Sequence, residues 1–362
     1  MADANFYAGK RVVVTGAAGT VGSRLIKHLL QQPIAELRAL DNHENGLFHL
    51  SEELKEERRF HPFMCDIRSP GEVNSLLKGM DFCFHTAALK HVPSSERAPF
   101  ETVQTNIMGL QNLIQSALAH GLQRVLLTSS DKAVNPTNVM GTTKLMGERL
   151  MTAANATLHI TSSTVLTSTR FGNVLGSAGS FVPLFCGQVA RGGPITLTDR
   201  GMTRFVMTLD ESVRLVLQSI ELACGGEVFV TKMPVVRIRD VAEELVDLVA
   251  PLYGRNPAKI EIREIGPRPG EKLFEELTSD EELRRTVELD ELFAVLPAFR
   301  NIYDRIEYAY PPNGMKEASK TYNSANEPVM SRPAIRKLLL EPDVLPLEVA
   351  ALLEVKRERG VA

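Results

Sequence analysis

Three glycines and a carboxylate near the N-terminus are the first residues whose types and spacing could do chemistry. The run Thr15-Gly16-Ala17-Ala18-Gly19-Thr20-Val21-Gly22 follows an apolar stretch, residues 11–14, and opens a helical pattern at Val21, Leu25, Ile26, Leu29 and Leu30. Glycines at 16, 19 and 22 permit a tight turn, close backbone approach to a pyrophosphate and close helix–strand packing. The N–H groups that open the helix, with Thr20 and Val21 among them, are placed to meet a diphosphate. Asp41 ends the second apolar run, 19 residues after Gly22. A carboxylate there accepts hydrogen bonds from an adenosine ribose and repels a 2′-phosphate. No arginine occurs in Asn42-His43-Glu44-Asn45, although Arg38 lies just before, so NAD is favoured over NADP. Asp66 and Ile67 end the third run, where Asp66 could meet an adenine amino group and Ile67 lie beside the ring. The alternative for Asp66 is a helix N-cap.

A second polar concentration follows the apolar run 124–128. It reads Ser129-Ser130-Asp131-Lys132-Ala133-Val134-Asn135-Pro136-Thr137-Asn138-Val139-Met140-Gly141-Thr142-Thr143-Lys144. Taken alone, the adjacent Asp131 and Lys132 read as a solvated surface ion pair. The elements around them give more. Apolar runs at 11–14, 37–40, 81–85, 124–128 and 164–169 alternate with helical patterns, one of them at Val103, Ile107, Leu110, Ile114 and Leu118. Strands separated by helices of that length imply right-handed βαβ units and a parallel sheet. The expected fold is α/β: a doubly wound parallel Rossmann sheet with a smaller interleaved substrate-binding domain. Residues 1–172 and 203–230 are assigned to the dinucleotide domain, 173–202 and 231–300 to the substrate domain, and 301–362 to a C-terminal arm and helices.

Composition bounds the rest. The 362 residues carry 41 basic and 44 acidic side chains, a net charge of −3, which argues against a general nucleic-acid or anionic-membrane partner. Four cysteines, at 65, 83, 186 and 224, show no CxxC spacing and read as buried thiols of a cytosolic protein, with no metal site. No run approaches membrane-spanning length, and a cytoplasmic location is expected.

Taken together, these runs resemble the extended short-chain dehydrogenase/reductase superfamily. The narrower resemblance is to the nucleotide-sugar 4,6-dehydratases of polysaccharide and nonulosonate biosynthesis. It is carried by the glycine turn, Ala87-Ala88-Leu89-Lys90-His91-Val92-Pro93, the 131–144 segment, Arg170-Phe171-Gly172-Asn173-Val174-Leu175-Gly176-Ser177, Met202-Thr203-Arg204-Phe205 and Arg268-Pro269-Gly270-Glu271-Lys272-Leu273. The superfamily places a tyrosine four residues before its lysine; here that residue is Met140, which has no exchangeable proton. The family includes such a variant, and the resemblance moves acid–base work to Ser130, Asp131 and Lys132.

It implies NAD as cofactor, with Ala87 among its contacts and Lys144 on the nicotinamide ribose. Lys132 becomes the base at the sugar C5 and Asp131 the acid at the departing 6-hydroxyl, with Ser130 at the C4 hydroxyl proton. That assignment asks for a lowered Lys132 pKa and a raised Asp131 pKa. Arg204 and Arg268 stand as diphosphate ligands with Asn173 beside them, Glu271 as acceptor for a ribose hydroxyl, and Lys90 toward the sugar. The leading expectation is dehydration of UDP-N-acetylglucosamine to a 4-keto-6-deoxy sugar nucleotide by a homo-oligomer. A 4-epimerase of the same fold and a non-catalytic dinucleotide sensor are the competing expectations.

Overall fold

The computed structural model describes residues 5–158, 163–267, 269–299, 306–310 and 315–358. The chain divides into two compact units, the first comprising Met1–Phe171, Val213–Lys232 and Leu277–Thr321. Its six leading strands are β1 (Arg11–Thr15), β2 (Glu36–Asp41), β3 (Phe60–Met64), β4 (Phe82–His85), β5 (Arg124–Ser130) and β6 (Val165–Phe171). They lie in the order β3-β2-β1-β4-β5-β6, all parallel, and Val228–Thr231 adds a seventh parallel strand beyond β6. This is the doubly wound order, in which the strand sequence reverses between β1 and β4 and leaves a crevice at their carboxyl ends.

Burial explains why these segments are strands. All four residues of β4 are buried, as are Val12–Thr15 of β1, the continuous apolar run of a sheet covered on both faces. β3 breaks the rule: only Phe60 of its five residues is buried, and it contains Pro62, which an edge strand tolerates because one side of its ladder is unpaired. Helix Leu110–Ala119 buries Leu110, Leu113, Ile114 and Ala117 against Val13, Cys83, Val125 and Leu127. Each such side chain contributes roughly 1.5–3 kcal/mol when fully buried.

The second unit comprises Gly172–Ser212, Met233–Glu276 and Tyr322–Ala362. Helices Phe181–Arg191 and Ile238–Val249 pack their apolar faces around Ile195, Leu197 and Val206, and Ile335, Leu339 and Val344 complete this core. Thr203–Met207 pairs antiparallel with Val235–Arg237 and parallel with Asn173–Val174.

These units differ from the expected domains at three places. Residues 203–212 belong to the second unit, because Thr203–Met207 finds its partners there. Most of 277–299 belongs to the first, where Leu292–Val295 pairs antiparallel with Val228–Thr231 and Thr286–Glu288 pairs in turn with Leu292–Val295. From Tyr322 onward the C-terminal arm is part of the second unit, and Lys316–Glu317 pairs with Val287 and Glu288 in the first. Cys65, Cys83 and Cys186 are buried free thiols and Cys224 is partly exposed. Among the described residues no helix is long and apolar enough to cross a membrane, and no cluster of His, Cys, Asp and Glu is suited to a metal ion.

Candidate active site

The glycine turn leaves the carboxyl end of β1. Gly16 has φ +70°, and a Cβ on it would stand 2.6 Å from the Ala87 nitrogen just past β4. A Cβ on Gly22 would stand 2.1 Å from the Gly16 carbonyl oxygen, so both positions exclude a side chain. Helix Thr20–Leu30 opens at Gly19 with no side-chain cap and no acidic residue in its first turn. Its first N–H groups are left for an anion. The Asp41 carboxylate is oriented by two backbone donors, Ala18 N–H at 2.9 Å and His43 N–H at 2.9 Å. This bare glycine cradle, open helix terminus and aimed carboxylate fit a dinucleotide. Thr20 and Val21 sit half-buried on that first turn.

Asp66 is engaged otherwise. Its carboxylate takes the Arg68 guanidinium at 2.6 Å, which holds it below the ordinary carboxylate range. Ser69, not Asp66, precedes helix Pro70–Leu77. The Ile67 side chain is buried against Gly109, and its carbonyl accepts from Asn112 at 3.1 Å.

The strongest polar cluster closes β5. Asp131 is 3% exposed. Its Oδ1 accepts from Ser130 Oγ at 2.6 Å, and the Lys132 ammonium reaches both oxygens at 3.1 and 2.9 Å. Ser130 Oγ also accepts the Lys132 N–H at 3.3 Å, capping the short 3-10 turn Asp131–Ala133. The Lys132 side chain keeps about a third of its surface, 35%, in solvent. The pair therefore has one dry member and one accessible member, unlike a solvated surface pair. Helix Val139–Leu158 packs on this turn so closely that a Cβ on Gly141 would stand 2.3 Å from the Lys132 carbonyl oxygen.

Lys144 Nζ donates to the Thr128 carbonyl at 2.9 Å, and burial pulls its pKa down to about 8 against an opposing pull from Glu148. His85, at the end of β4, is neutral: burial first, then Lys144, pushes its pKa down to about 3, and its Nδ1 meets Thr15 Oγ1 at 2.7 Å. Met140 is buried, and its carbonyl accepts from Thr143 Oγ1 at 2.7 Å.

Sequence reasoning missed Asn106. It lies in a π-helical turn, Gln104–Gly109, a local widening often found at functional sites. Its side chain bridges the Leu89 N–H and carbonyl at 2.8 and 3.0 Å and donates to Thr143 at 3.0 Å. It thus ties the segment before Lys90 to the Lys144 helix. The available signal was that Asn106, unlike Gln111 and Gln115, falls on the apolar face, three residues after Val103 and four before Leu110. Lys90 is itself exposed, yet partial desolvation draws its ammonium below the ordinary lysine value.

In the second unit the expected ligands gather around a carboxylate that sequence reasoning also missed, the buried Glu275. Asn173 donates to its oxygens at 2.9 and 2.8 Å, and Arg204 Nε lies 3.2 Å away. The Arg204 guanidinium also donates to the carbonyls of Thr203, Lys272 and Leu273. Engaged in this way, Arg204 and Asn173 shape the 272–275 segment, and their donors would have to leave these acceptors to grip a diphosphate. Glu271 Oε1 stands 3.8 Å from Arg204, whereas its buried Oε2 has no hydrogen-bond partner among the described residues. Arg268 lies outside the described residues.

A family model described as polysaccharide biosynthesis protein matches residues 12–297. An uncharacterised membrane protein of Methanocaldococcus jannaschii is 43% identical over 337 residues, 93% of this chain and 97% of that one. A UDP-glucose 4-epimerase of Rickettsia massiliae is 33% identical over 353 residues, covering 95% of this chain and 99% of the relative. The X-ray structure of Pen from Bacillus thuringiensis superposes with a TM-score of 0.86 at 37% identity, over 94% of this chain and all of the other.

Proposed function

Because the chain belongs to the polysaccharide biosynthesis protein family, we propose that it is a nucleotide-sugar-modifying enzyme that uses NAD to convert UDP-N-acetylglucosamine into its 4-keto-6-deoxy derivative. The observation that carries this reading is the Ser130–Asp131–Lys132 cluster, a buried acid bonded to a half-exposed amine beside a lysine helix that lacks the usual tyrosine. A bound nicotinamide dinucleotide supplies hydride acceptance at C4 and hydride return at C6. Lys144 holds its nicotinamide ribose, the glycine turn with Thr20, Val21 and Ala87 cradles its diphosphate, and Asp41 binds the adenosine ribose, with Asp66 and Ile67 near the adenine.

A simple dehydrogenase needs no more than this, but elimination also requires a base at C5 and an acid at the 6-hydroxyl. The Asp131–Lys132 bond supplies both together. Ser130 hands its hydroxyl proton to the Asp131 carboxylate as it takes the C4 hydroxyl proton, which makes Asp131 the acid, and the solvent-accessible Lys132 serves as the free amine. Lys132 then takes the C5 proton while Asp131 delivers its proton to the departing hydroxyl as water. Ser130 thereby stands in place of a tyrosine: the proton lost at C4 is the one that leaves with the 6-hydroxyl as water, and Lys132 returns its proton to C5. On the substrate side, Glu271 offers its unpartnered oxygen to a ribose hydroxyl, Lys90 meets the sugar, and Arg268 with Arg204 serves the diphosphate. Asn173 and Arg204 also hold the 272–275 segment in shape.

Incubating the protein with UDP-N-acetylglucosamine should yield a product lighter by one water, with no net NADH. Lys132→Ala and Asp131→Asn should each lose at least ~100-fold in turnover while still binding NAD. A second reading, 4-epimerisation, is favoured by the epimerase similarity. It conserves substrate mass, so one mass spectrum separates the two. Unchanged mass with every common nucleotide sugar would overturn the dehydratase reading.

A further inference from the structure

Lys144 does not stand alone in its helix. One turn later, Glu148 is 2% exposed and is gripped at both oxygens by Arg170 of β6, Nε to Oε1 at 2.9 Å and Nη2 to Oε2 at 2.7 Å. Arg170, 1% exposed, turns its other donors to Glu282 at 2.8 and 2.7 Å and to the Leu277 carbonyl at 2.9 Å. Arg285 stands 3.8 Å from Glu282 at the far end, so two guanidiniums alternate with two carboxylates along this chain. Its end nearest Lys144 is Glu148, because residues four apart in a helix are neighbours.

We propose that Glu148 is a positioning residue for Lys144: clamped by Arg170, it fixes the register of the Val139–Leu158 helix against β6 and keeps the neighbouring ammonium charged for cofactor binding.

The other groups around Lys144 do not supply that charge. His85 on β4 is neutral, and the Asp131 carboxylate at the end of β5 is bonded to Lys132. Glu96, on helix Val92–Arg97, caps the Val139 N–H at 2.7 Å, at the start of the lysine helix. Glu101, on Pro99–Val103, is paired with Arg68, and Arg124, at the far end of β5, donates to the carbonyls of Ile220 and Ala223. Arg170 spends its guanidinium on Glu148, Glu282 and the Leu277 carbonyl. Burial already favours the neutral amine. Glu148 opposes it in the place where a protonated lysine must bind ribose oxygens.

The test uses the full chain with 13Cε-lysine, the Lys144 resonance being assigned by Lys144→Arg. Its titration midpoint should lie near 8 in the wild type and about one unit lower in Glu148→Gln, since removing an opposite charge at this range shifts a pKa by about that much. Glu282→Gln breaks the far end of the same chain and serves as the structural control; its midpoint should stay with the wild type. If Glu148→Gln fails to fold, Glu148→Asp carries the test, with a midpoint a few tenths below wild type. Equal midpoints in the wild type and the folded Glu148 variant, or an equal shift in Glu282→Gln, would overturn the proposal. The inference rests on the cofactor reading only in what Lys144 holds. Calorimetry with NAD separates the two: the alkaline loss of affinity should move down with the midpoint in Glu148→Gln. Absence of NAD binding at any pH would count against the cofactor and leave the NMR result standing.

Discussion

A methyl group at Gly141 would meet the Lys132 carbonyl oxygen at 2.3 Å, well inside van der Waals contact. The conflict is with backbone, not the flexible end of a side chain, so the 3-10 turn carrying Asp131 and Lys132 must move. The dinucleotide cradle at Gly16 and Gly22 is built on other elements. Gly141→Ala is therefore expected to leave NAD affinity within about threefold of wild type while turnover falls about 100-fold, the scale of an ångström misplacement of catalytic groups. Calorimetry and a mass-resolved turnover assay check the two halves separately. Gly16→Ala should do the reverse. It puts a side chain at φ +70° and 2.6 Å from Ala87 N, so cofactor affinity is the quantity that collapses. At this scale the sequence was informative where chemistry depends on neighbours in the chain: Ser130, Asp131 and Lys132 bond to one another because they are adjacent. It was silent on Asn106, whose partners Leu89 and Thr143 lie 17 and 37 residues away, and on Glu275, whose partners Asn173 and Arg204 come from other strands.

The Val139–Leu158 helix is locked to β6 by buried charge more than by an apolar stripe. The sequence marked Arg170 as part of a motif, but nothing in its spacing paired it with Glu148 and Glu282, which lie 22 and 112 residues away. Folding must bring them together, since a guanidinium 1% exposed is tolerable only when its donors are met. Arg170→Met strips the buried Glu148 carboxylate of its guanidinium and leaves Glu282 only the Ser279 N–H and Arg285, and should cost roughly 3–5 kcal/mol, read as a lower urea midpoint. The same network carries a pH dependence. Burial works to raise the Glu282 pKa, but the charge and hydrogen bonds of Arg170 prevail and lower it from 4.5 to about 2. A folded-state pKa below the unfolded value adds stability that is full above about pH 4.5 and is lost as pH falls toward 2, on the order of 3 kcal/mol. Urea titrations of Glu282→Gln should accordingly show a flatter acid limb than wild type, and equal limbs would place the acid sensitivity elsewhere.

Across the whole molecule, the parallel sheet was legible because its strands are continuous apolar runs separated by helical periods. The division between the units was not. Leu292–Val295 and Thr286–Glu288 are four and three residues long, too short for a period to distinguish strand from loop; the first joins the sheet by pairing across more than 60 residues of sequence, and the second pairs on it. The C-terminal segment posed the same difficulty. Helices were expected within 301–362, and one is observed as Arg332–Leu339, but the sequence could not say which core it serves. That core is the second unit's, to which Ile335, Leu339, Val344 and Val349 contribute side chains no more than 3% exposed. Removing residues 322–362 strips all four and, with them, the Ser324 hydroxyl that bonds Thr203 at 2.9 Å and the Glu275 N–H at 2.9 Å. Four buried aliphatic side chains at roughly 1.5–3 kcal/mol each amount to the stability of an ordinary domain. The truncated chain should therefore lose amide protection throughout Phe181–Arg191 and Ile238–Val249. In the same hydrogen-exchange experiment, β1, β4 and β5 should stay protected, because their strand neighbours and the core packed on Val13, Cys83, Val125 and Leu127 come from the first unit. Exchange of both units together would instead mean that they fold as one cooperative body.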